Sequence, residues 1–76
     1  MVRRFETIQK DLAVNLRRER IEAGISQEQL ALMADVDRTY VSQIERAIGN
    51  PSISVIVKLA SCLKKDINNL LNPNQE

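Results

Sequence analysis

Five polar side chains within residues 38–46 have the types and spacing for directional hydrogen bonding from one face of a helix. The five share one arc at about 100° per residue: Arg38, Thr39, Ser42, Gln43 and Arg46. The opposite arc holds Tyr40, Val41 and Ile44, as expected for a face that packs on a core. Forked guanidinium and amide groups in such a row can match the polar edges of a flat ligand. An ordinary solvated helix face has a similar composition, so the neighbouring elements decide the interpretation.

A second short helix is predicted directly before this one, from residue 26 onwards. Ser26 with Gln29 three residues later is the pattern of a capping box, and Asp37 is a further N-cap residue for the polar helix. Ala31 is small where two helices would cross closely, and only residues 34–36 separate the two patterns. This arrangement predicts a helix-turn-helix, whose second helix presents its polar side at a width suited to the DNA major groove.

A longer first helix is predicted to anchor this unit. Its apolar residues share one face: Phe5, Ile8, Leu12, Ala13, Leu16 and Ala23. Arg20 lies at the edge of that face, and an arginine half inside a core requires a carboxylate partner. Glu45 lies beside the buried arc of the polar helix, so we expect a structural ion pair between Arg20 and Glu45.

Taken as a set, these residues resemble the Xre/Cro-like helix-turn-helix family over residues 16–71. The resemblance rests on a few positions and segments: Arg20, Gly24, and residues 26–31, 41–46 and 50–52. It implies an all-α, compact five-helix DNA-binding domain, like that of lambda-type repressors. Residues 37–46 are also similar to the recognition helix of restriction-modification controller proteins. The chain departs from the family pattern at two places. In the turn, Asp35 occupies the position that usually holds glycine. After the third helix, residues 47–50 replace the usual glycine followed by a basic residue.

The matching positions and the chemistry of the DNA grooves together imply individual roles. Arg38 can donate a forked pair to guanine, Thr39 can contact thymine or a phosphate, and Gln43 can read adenine or instead bond to Gln27. These three are the expected base contacts. The expected contacts to the DNA backbone are the following: Gln27, Tyr40, Ser42, Arg46 and Asn50.

Composition agrees with a small binding module. The 76 residues are 43% hydrophobic and 3% aromatic, which predicts one aliphatic helical domain over residues 1–76, with a short N-terminal arm and a polar C-terminal tail. No apolar run reaches 18 residues and the basic start leads into no hydrophobic segment, so we expect a cytoplasmic protein with no membrane contact. Cys62 stands alone, and we expect no metal, cofactor or small-molecule ligand.

The net charge of +1 is low for a DNA-binding protein. Residues 1–46 contain eight Lys/Arg and eight Asp/Glu, so the predicted helix-turn-helix half is balanced. The distribution is more favourable, because Arg38 and Arg46 lie on the polar arc and Glu45 is assigned to Arg20. We therefore expect few phosphate contacts and a shallow salt dependence of binding.

The remaining residues predict two further helices, one after Pro51 that either Ser52 or Ser54 can cap, and a short one capped by Asp66. The inward face of the first is expected to hold six residues: Ile53, Ile56, Val57, Leu59, Ala60 and Leu63. Val55 and Cys62 widen this apolar arc beyond the needs of one packing surface. The extra width is either intramolecular core or, as we prefer, a homodimer interface with the fifth helix: Val55, Cys62, Ile67, Leu70 and Leu71.

The sequence therefore predicts a regulator that binds double-stranded DNA as a dimer on an inverted repeat, and favours a controller of restriction-modification genes. A phage-type repressor and an antitoxin-type regulator remain open. A protein-interaction module without DNA binding is a further alternative, supported by the near-neutral charge. An enzyme is disfavoured, because the chain has no histidine and no nucleophile beside a base. Exposed Glu22, Glu28 and Asp35 are candidate contacts to RNA polymerase.

Overall fold

The computed structural model describes residues 2–73, and within that range it contains five α-helices and no strand. The helices have the following bounds: α1 Phe5–Glu22, α2 Gln27–Ala34, α3 Arg38–Glu45, α4 Ile53–Cys62 and α5 Ile67–Leu71. The predicted all-α, five-helix fold is confirmed. None of these helices combines the length and the apolar character needed to cross a membrane. The last three residues of the predicted polar tail, 74–76, lie outside the described residues.

One core holds the five helices together, and each helix supplies one large side chain that is fully buried: Leu16, Leu30, Val41, Leu59 and Leu70. α1 packs against α3 and α5, and α4 packs against α2 and α5. Burying one such aliphatic side chain contributes about 1.5–3 kcal/mol. The helix-turn-helix is therefore held in place by buried residues from all five helices.

Some residues predicted to face inward are exposed, and those predictions were wrong. Phe5 is 50% exposed, Ala23 is exposed, and on α4 Ile53 is 71% and Val57 43% exposed. Phe5 and Ala23 lie at or just past the ends of α1, which is 18 residues long, and α5, with five residues, covers only part of α4. A helical wheel predicts the direction of a side chain but not the length of the neighbour that has to cover it.

The predicted dimer residues have different surroundings. Leu70 is fully buried between α1 and α4, so its assignment to a dimer interface was wrong. The physical reason is that α5 is too short to bury any other residue of its own and inserts Leu70 into the shared core. The other four are half-buried and pack against that core, which leaves part of their surface accessible: Val55, Cys62, Ile67 and Leu71.

Polar residues on α1 and just before it, which no sequence pattern predicted, fix the end of α5. The Asn15 amide donates to the backbone oxygens of Leu70 at 2.9 Å and Asn72 at 2.8 Å. Arg3 donates to the Leu71 oxygen at 2.9 Å and to Asp11 at 2.7 Å. Because the last carbonyls of a helix lack partners within it, these contacts replace water at the end of α5.

Arg20 and Glu45 join α1 to α3 as a two-pronged ion pair, as the sequence predicts. Arg20 Nε donates to Glu45 Oε2 at 2.6 Å, and a terminal nitrogen of Arg20 donates to Oε1 at 3.0 Å. The side chains are only 11% and 2% exposed. Arg20 also donates to the Ile25 backbone oxygen at 2.9 Å, so its third nitrogen is satisfied too. A pair this well buried stabilises the fold only when both partners are present.

Ala47 ends α3 in a left-handed conformation, at φ 57°. Its N–H donates to the Ile44 oxygen, and the N–H of Ile48 donates to the Gln43 oxygen, the pattern of a helix terminus that usually contains glycine. A Cβ in this conformation costs about 1–2 kcal/mol. The missing family glycine therefore does not change the course of the chain, and alanine accepts the strain.

We expect the change Glu45→Ala to lower the free energy of unfolding by about 3–5 kcal/mol, because it leaves the Arg20 charge buried without its carboxylate. Chemical denaturation measures this loss. Arg18→Ala is the matched control: Arg18 is 45% exposed beside Glu19, and its loss should alter stability by less than about 0.5 kcal/mol. An unchanged unfolding midpoint for Glu45→Ala would contradict the assignment.

We expect Ala47→Gly to raise the free energy of unfolding by about 0.5–1 kcal/mol, since relief of the left-handed strain exceeds the added entropy of the unfolded chain. Ala23 also follows a helix but has φ −77°, so Ala23→Gly should give no gain. Thermal and chemical unfolding of the two variants make the comparison. Equal effects at both positions would show that Ala47 is unstrained.

Candidate nucleic-acid interface

Capping residues define both ends of α2, the first helix of the helix-turn-helix. Ser26 accepts the Gln29 N–H at 3.0 Å, and the Gln29 side chain accepts the Ser26 N–H at 2.7 Å, so the predicted capping box is confirmed. Asp35 ends α2 at φ 57° and ψ 47°, the left-handed conformation that glycine has in the family pattern. Ala31 is buried at the crossing. The turn therefore closes without glycine, as an aspartate permits.

Asp37 starts α3, the helix with the polar arc. Its carboxylate accepts the Thr39 N–H at 2.7 Å, which confirms the predicted N-cap. This hydrogen bond lowers the pKa of Asp37 below its usual value, because the charged form is the better acceptor. On the inner side of α3, Val41 and Ile44 are buried, whereas Tyr40 is half-buried. The Asp37 cap and the buried side chains of Val41 and Ile44 together fix the orientation of α3, and with it the direction of the polar arc.

The polar arc of α3 faces outward. Arg38, Thr39, Gln43 and Arg46 are exposed, and Ser42 is half-buried. Within residues 2–73 the side chains of Arg38 and Arg46 form no hydrogen bond or ion pair. Two cations and two neutral hydrogen-bonding groups are therefore presented together on α3 and its C-cap residue, where a ligand that approaches this face can contact them.

Gln27 occupies the first position of α2 and points toward α3. Its amide Nε2 donates to Glu45 Oε1 at 3.1 Å, so its hydrogen-bond partner is Glu45 rather than Gln43. Arg17 lies at the rim of the same carboxylate, with a terminal nitrogen 3.9 Å from Oε1 and 62% side-chain exposure. The hydrogen bonds that Arg20 donates to Glu45 raise the pKa of Arg20, so that guanidinium stays charged. The Glu45 charge is thus neutralised beneath the polar surface.

A pocket at the carboxyl end of α3 brings Tyr40 and Asn50 together. Its lining combines helix and loop residues: Tyr40, Gln43, Ile44, Ile48, Gly49, Asn50 and Pro51. The Tyr40 hydroxyl oxygen accepts the Ser52 N–H at 3.4 Å, which leaves its own hydrogen available to donate. The loop is tied to α1 by a hydrogen bond from the Gln9 amide to the Gly49 oxygen. Helix α3 and the following loop thus share one surface pocket, in which polar and apolar side chains lie together.

The acidic residues considered as polymerase contacts, Glu22, Glu28 and Asp35, are all exposed. Glu22 lies at the end of α1, Glu28 in the first turn of α2, and Asp35 in the turn before α3. They therefore come from three separate elements of the helix-turn-helix half.

Comparison with known proteins identifies the family to which this chain belongs. The helix-turn-helix family model matches residues 16–70. The chain is 46% identical over 65 residues to a hypothetical transcription factor of Neisseria meningitidis serogroup B, covering 86% of the chain and 61% of that protein. It is 37% identical over 67 residues to the control protein C.SmaI of Serratia marcescens, covering 88% of the chain and 80% of that protein. The chain thus spans only about three fifths of the Neisseria relative.

Two solved structures share the arrangement of the helices. The hypothetical transcription factor NHTF from Neisseria superposes with a TM-score of 0.88 at 39% identity, over 99% of this chain and 86% of that one. The restriction-modification controller protein C.AhdI from Aeromonas hydrophila superposes with a TM-score of 0.79 at 37% identity, over 82% of this chain and 94% of that one. With its capped tight turn, its exposed polar α3 and these relatives, the chain belongs to the Xre/Cro-like helix-turn-helix family of DNA-binding regulators.

Proposed function

We propose that this chain is a sequence-specific regulator of transcription that reads the major groove of double-stranded DNA with α3. The observation that carries the proposal is the division of α3 into two sides. Val41 and Ile44 are buried, while the side chains that can contact bases are exposed and, in the cases of Arg38 and Arg46, have no partner within residues 2–73. The major groove is wide enough to admit an α-helix, and each base pair shows a distinct pattern of donors and acceptors there.

Three side chains read bases in this proposal. Arg38 is in the first turn of α3, the part of a recognition helix that enters the groove, and donates its fork to guanine O6 and N7. Thr39 places its methyl against thymine. Gln43, one turn later and exposed, pairs its amide with adenine.

The backbone contacts surround these base contacts. Arg46 and Ser42 follow along α3, and Tyr40 and Asn50 line the pocket at its end. Gln27 begins α2, where backbone N–H groups without helical partners favour a phosphate. These groups are few and mostly neutral. With a net charge of +1, the proposal therefore implies a shallower fall of affinity with salt than a strongly basic domain would show.

Control of restriction-modification genes is the biological role that the comparisons favour. C.SmaI is a control protein and C.AhdI a restriction-modification controller protein, and the chain covers 80% and 94% of their lengths. A phage-type repressor or an antitoxin-type regulator would use the same helix and would differ in its target genes. In each case the protein would act in the cytoplasm, where the genes lie, and α3 would hold no catalytic, metal or cofactor site.

The proposed assembly on DNA is a two-fold homodimer. One recognition helix spans only a few base pairs, whereas two of them about 34–36 Å apart select an inverted repeat. The surface that we assign to the dimer lies on α4 and α5. Half-buried Leu71 lines an apolar groove together with exposed Ile53, and Val57 follows one turn later. Val55, Cys62 and Ile67, which like Leu71 are half-buried and pack against the core, contribute the part of their surface that remains accessible.

Activation of transcription by so small a protein would require direct contact with RNA polymerase. We propose the acidic side chains of Glu22, Glu28 and Asp35 for that contact, because they are exposed and lie outside the polar arc of α3. A regulator that only represses would need none of them. Transcription assays with charge-neutralising variants that retain DNA binding separate the two modes.

Selection from random duplex DNA, followed by footprinting, tests the proposed function. We expect an enriched inverted repeat, and we expect Arg38→Ala to relax the preference at one base pair per half-site. The cost on the selected site should be about 1–3 kcal/mol, because one bidentate base contact is lost. Competition binding against single-base variants of the site measures this discrimination.

Arg46→Ala is the control for this experiment, because it removes a cation of the same helix that we assign to the phosphates. It should weaken binding to all sequences alike and lower the salt slope by about 1. A uniform loss for Arg38→Ala would make that residue a phosphate contact. If no sequence is enriched even at low salt, the protein-interaction alternative replaces the proposed function.

The dimer is tested by Val57→Lys, which places a charge on the proposed interface. We expect the dissociation constant of the dimer to rise at least about 10-fold, because a lysine there has to be desolvated or excluded. Sedimentation velocity measures the change with and without DNA. Val14→Lys is the matched control: Val14 is 45% exposed on α1, against 43% for Val57 on α4. Equal effects of both changes, or a monomer even on the selected DNA, would contradict the proposed interface.

A further inference from the structure

Ile48 is an exposed apolar side chain in the loop that follows α3. Its N–H donates to the Gln43 oxygen at 2.9 Å, and the N–H of Ala47 donates to the Ile44 oxygen at 3.0 Å. In a helix terminus with this pair of hydrogen bonds, the residue at the place of Ile48 commonly packs against one of two residues in the last turns of the helix. Here those two residues are Gln43 and Ser42, which are polar. Ile48 thus lacks its usual apolar neighbour on the helix and is 44% exposed.

The loop presents Ile48 beside side chains that we assign to DNA. Ile48 lines one surface pocket together with Tyr40, Gln43 and Asn50. Tyr40 and Asn50 are proposed contacts to the DNA backbone, whereas Gln43 is a proposed base contact. The hydrogen bonds to the end of α3, and a further one from α1 to the Gly49 oxygen, restrain the loop on both sides of Ile48. The side chain therefore has a defined position next to the polar arc of α3.

We propose that Ile48 packs against a deoxyribose of the DNA backbone, next to the groups that Tyr40 and Asn50 contact. The inference rests on the proposed function and assigns one source of its affinity. Each sugar of the backbone presents C–H groups between two phosphates. An isoleucine side chain cannot hydrogen-bond to a phosphate, but free energy is gained when the side chain and a sugar exclude water from each other.

Such a contact suits a chain that has few charges for the phosphates. The net charge is +1, and Arg46 is the charged residue among the proposed backbone contacts. Binding through charge releases counterions from DNA and weakens as the salt concentration rises. Burial of apolar surface releases none. The contribution of Ile48 to affinity should therefore persist at salt concentrations that weaken the contribution of Arg46.

Two other roles for Ile48 lead to different results. The methyl group of a thymine is a second apolar surface on DNA, and a contact there would add base specificity. The position of Ile48 favours the backbone, because it lies beyond the C-cap of α3, on the same loop as Asn50. The other role is purely structural: Ile48 would cover its own loop, and its loss would affect folding alone.

Ile48→Ala tests the apolar contact. On the selected site and on its single-base variants alike, we expect the affinity to fall about 3- to 10-fold, because the exposed 44% of Ile48 is available for burial by DNA. The salt slope should equal that of the unchanged protein, since no charge is lost. Val14→Ala is the matched control: Val14 is 45% exposed on α1, outside the residues assigned to DNA, and its loss should leave the affinity unchanged. Fluorescence anisotropy titrations at several salt concentrations measure both quantities.

Ile48→Lys tests the location of the side chain, because a cation next to the DNA backbone adds a phosphate contact. We expect the salt slope to become steeper by about 1. Val14→Lys adds the same charge on α1 and should leave the slope nearly unchanged. Chemical denaturation of the four variants measures the fraction of each that is folded under the binding conditions.

Four results would overturn the inference and leave the proposed function intact. One is an unchanged affinity of Ile48→Ala. Another is a loss at a single base pair only, which makes Ile48 a thymine contact. The third is a loss of affinity that matches the unfolded fraction of Ile48→Ala, which makes Ile48 a structural residue. The fourth is an unchanged salt slope of Ile48→Lys. If the unchanged protein selects no sequence, the proposed function fails and the contact of Ile48 fails with it.

Discussion

The buried ion pair between Arg20 and Glu45 is the constraint on which the rest of the structure depends. It connects the last turn of α1 to the last turn of α3, with the two side chains 11% and 2% exposed. Such a pair is costly to form and more costly to break, because a lone charge in a core has no solvent. The pair thus restricts the position of α3 relative to α1, because the recognition helix has to lie where Glu45 meets Arg20. The polar arc of α3 then points away from the core.

This arrangement also explains how a nearly neutral chain can belong to a family of DNA-binding proteins. Glu45 is the acidic residue on α3, and Arg20 neutralises it below the surface while Arg17 lies near its rim. The charges that remain exposed on α3 and directly after it are those of Arg38 and Arg46. The local field at the recognition surface is therefore more positive than the net charge of +1 suggests. Placement of charge, rather than its sum, matters for such a surface.

Local sequence signals predicted the helix-turn-helix well. Ser26, Gln29 and Asp37 act on backbone groups two or three residues away, so their effect does not depend on the remainder of the fold. Asp35 likewise adopts the left-handed backbone conformation, which the short polar side chain of aspartate permits. Apolar periodicity identified the buried side of α3 for the same reason. The pairing of Arg20 with Glu45 was predicted in two steps. Arg20 lies at the edge of the apolar face of α1 and therefore needed a carboxylate partner, and Glu45 lies beside the buried side of α3.

The sequence by itself determined the helical class, the positions of the helix starts, the division of α3 into a core side and a polar side, and the family. These properties depend on neighbours along the chain. Only the tertiary structure decided that Leu70 is buried, that Ile53 and Val57 are exposed, that Asn15 holds the end of α5, and that the Gln27 amide turns toward Glu45. Each of these depends on the length and position of an element distant in sequence. Periodicity within one helix carries no information about what lies opposite it.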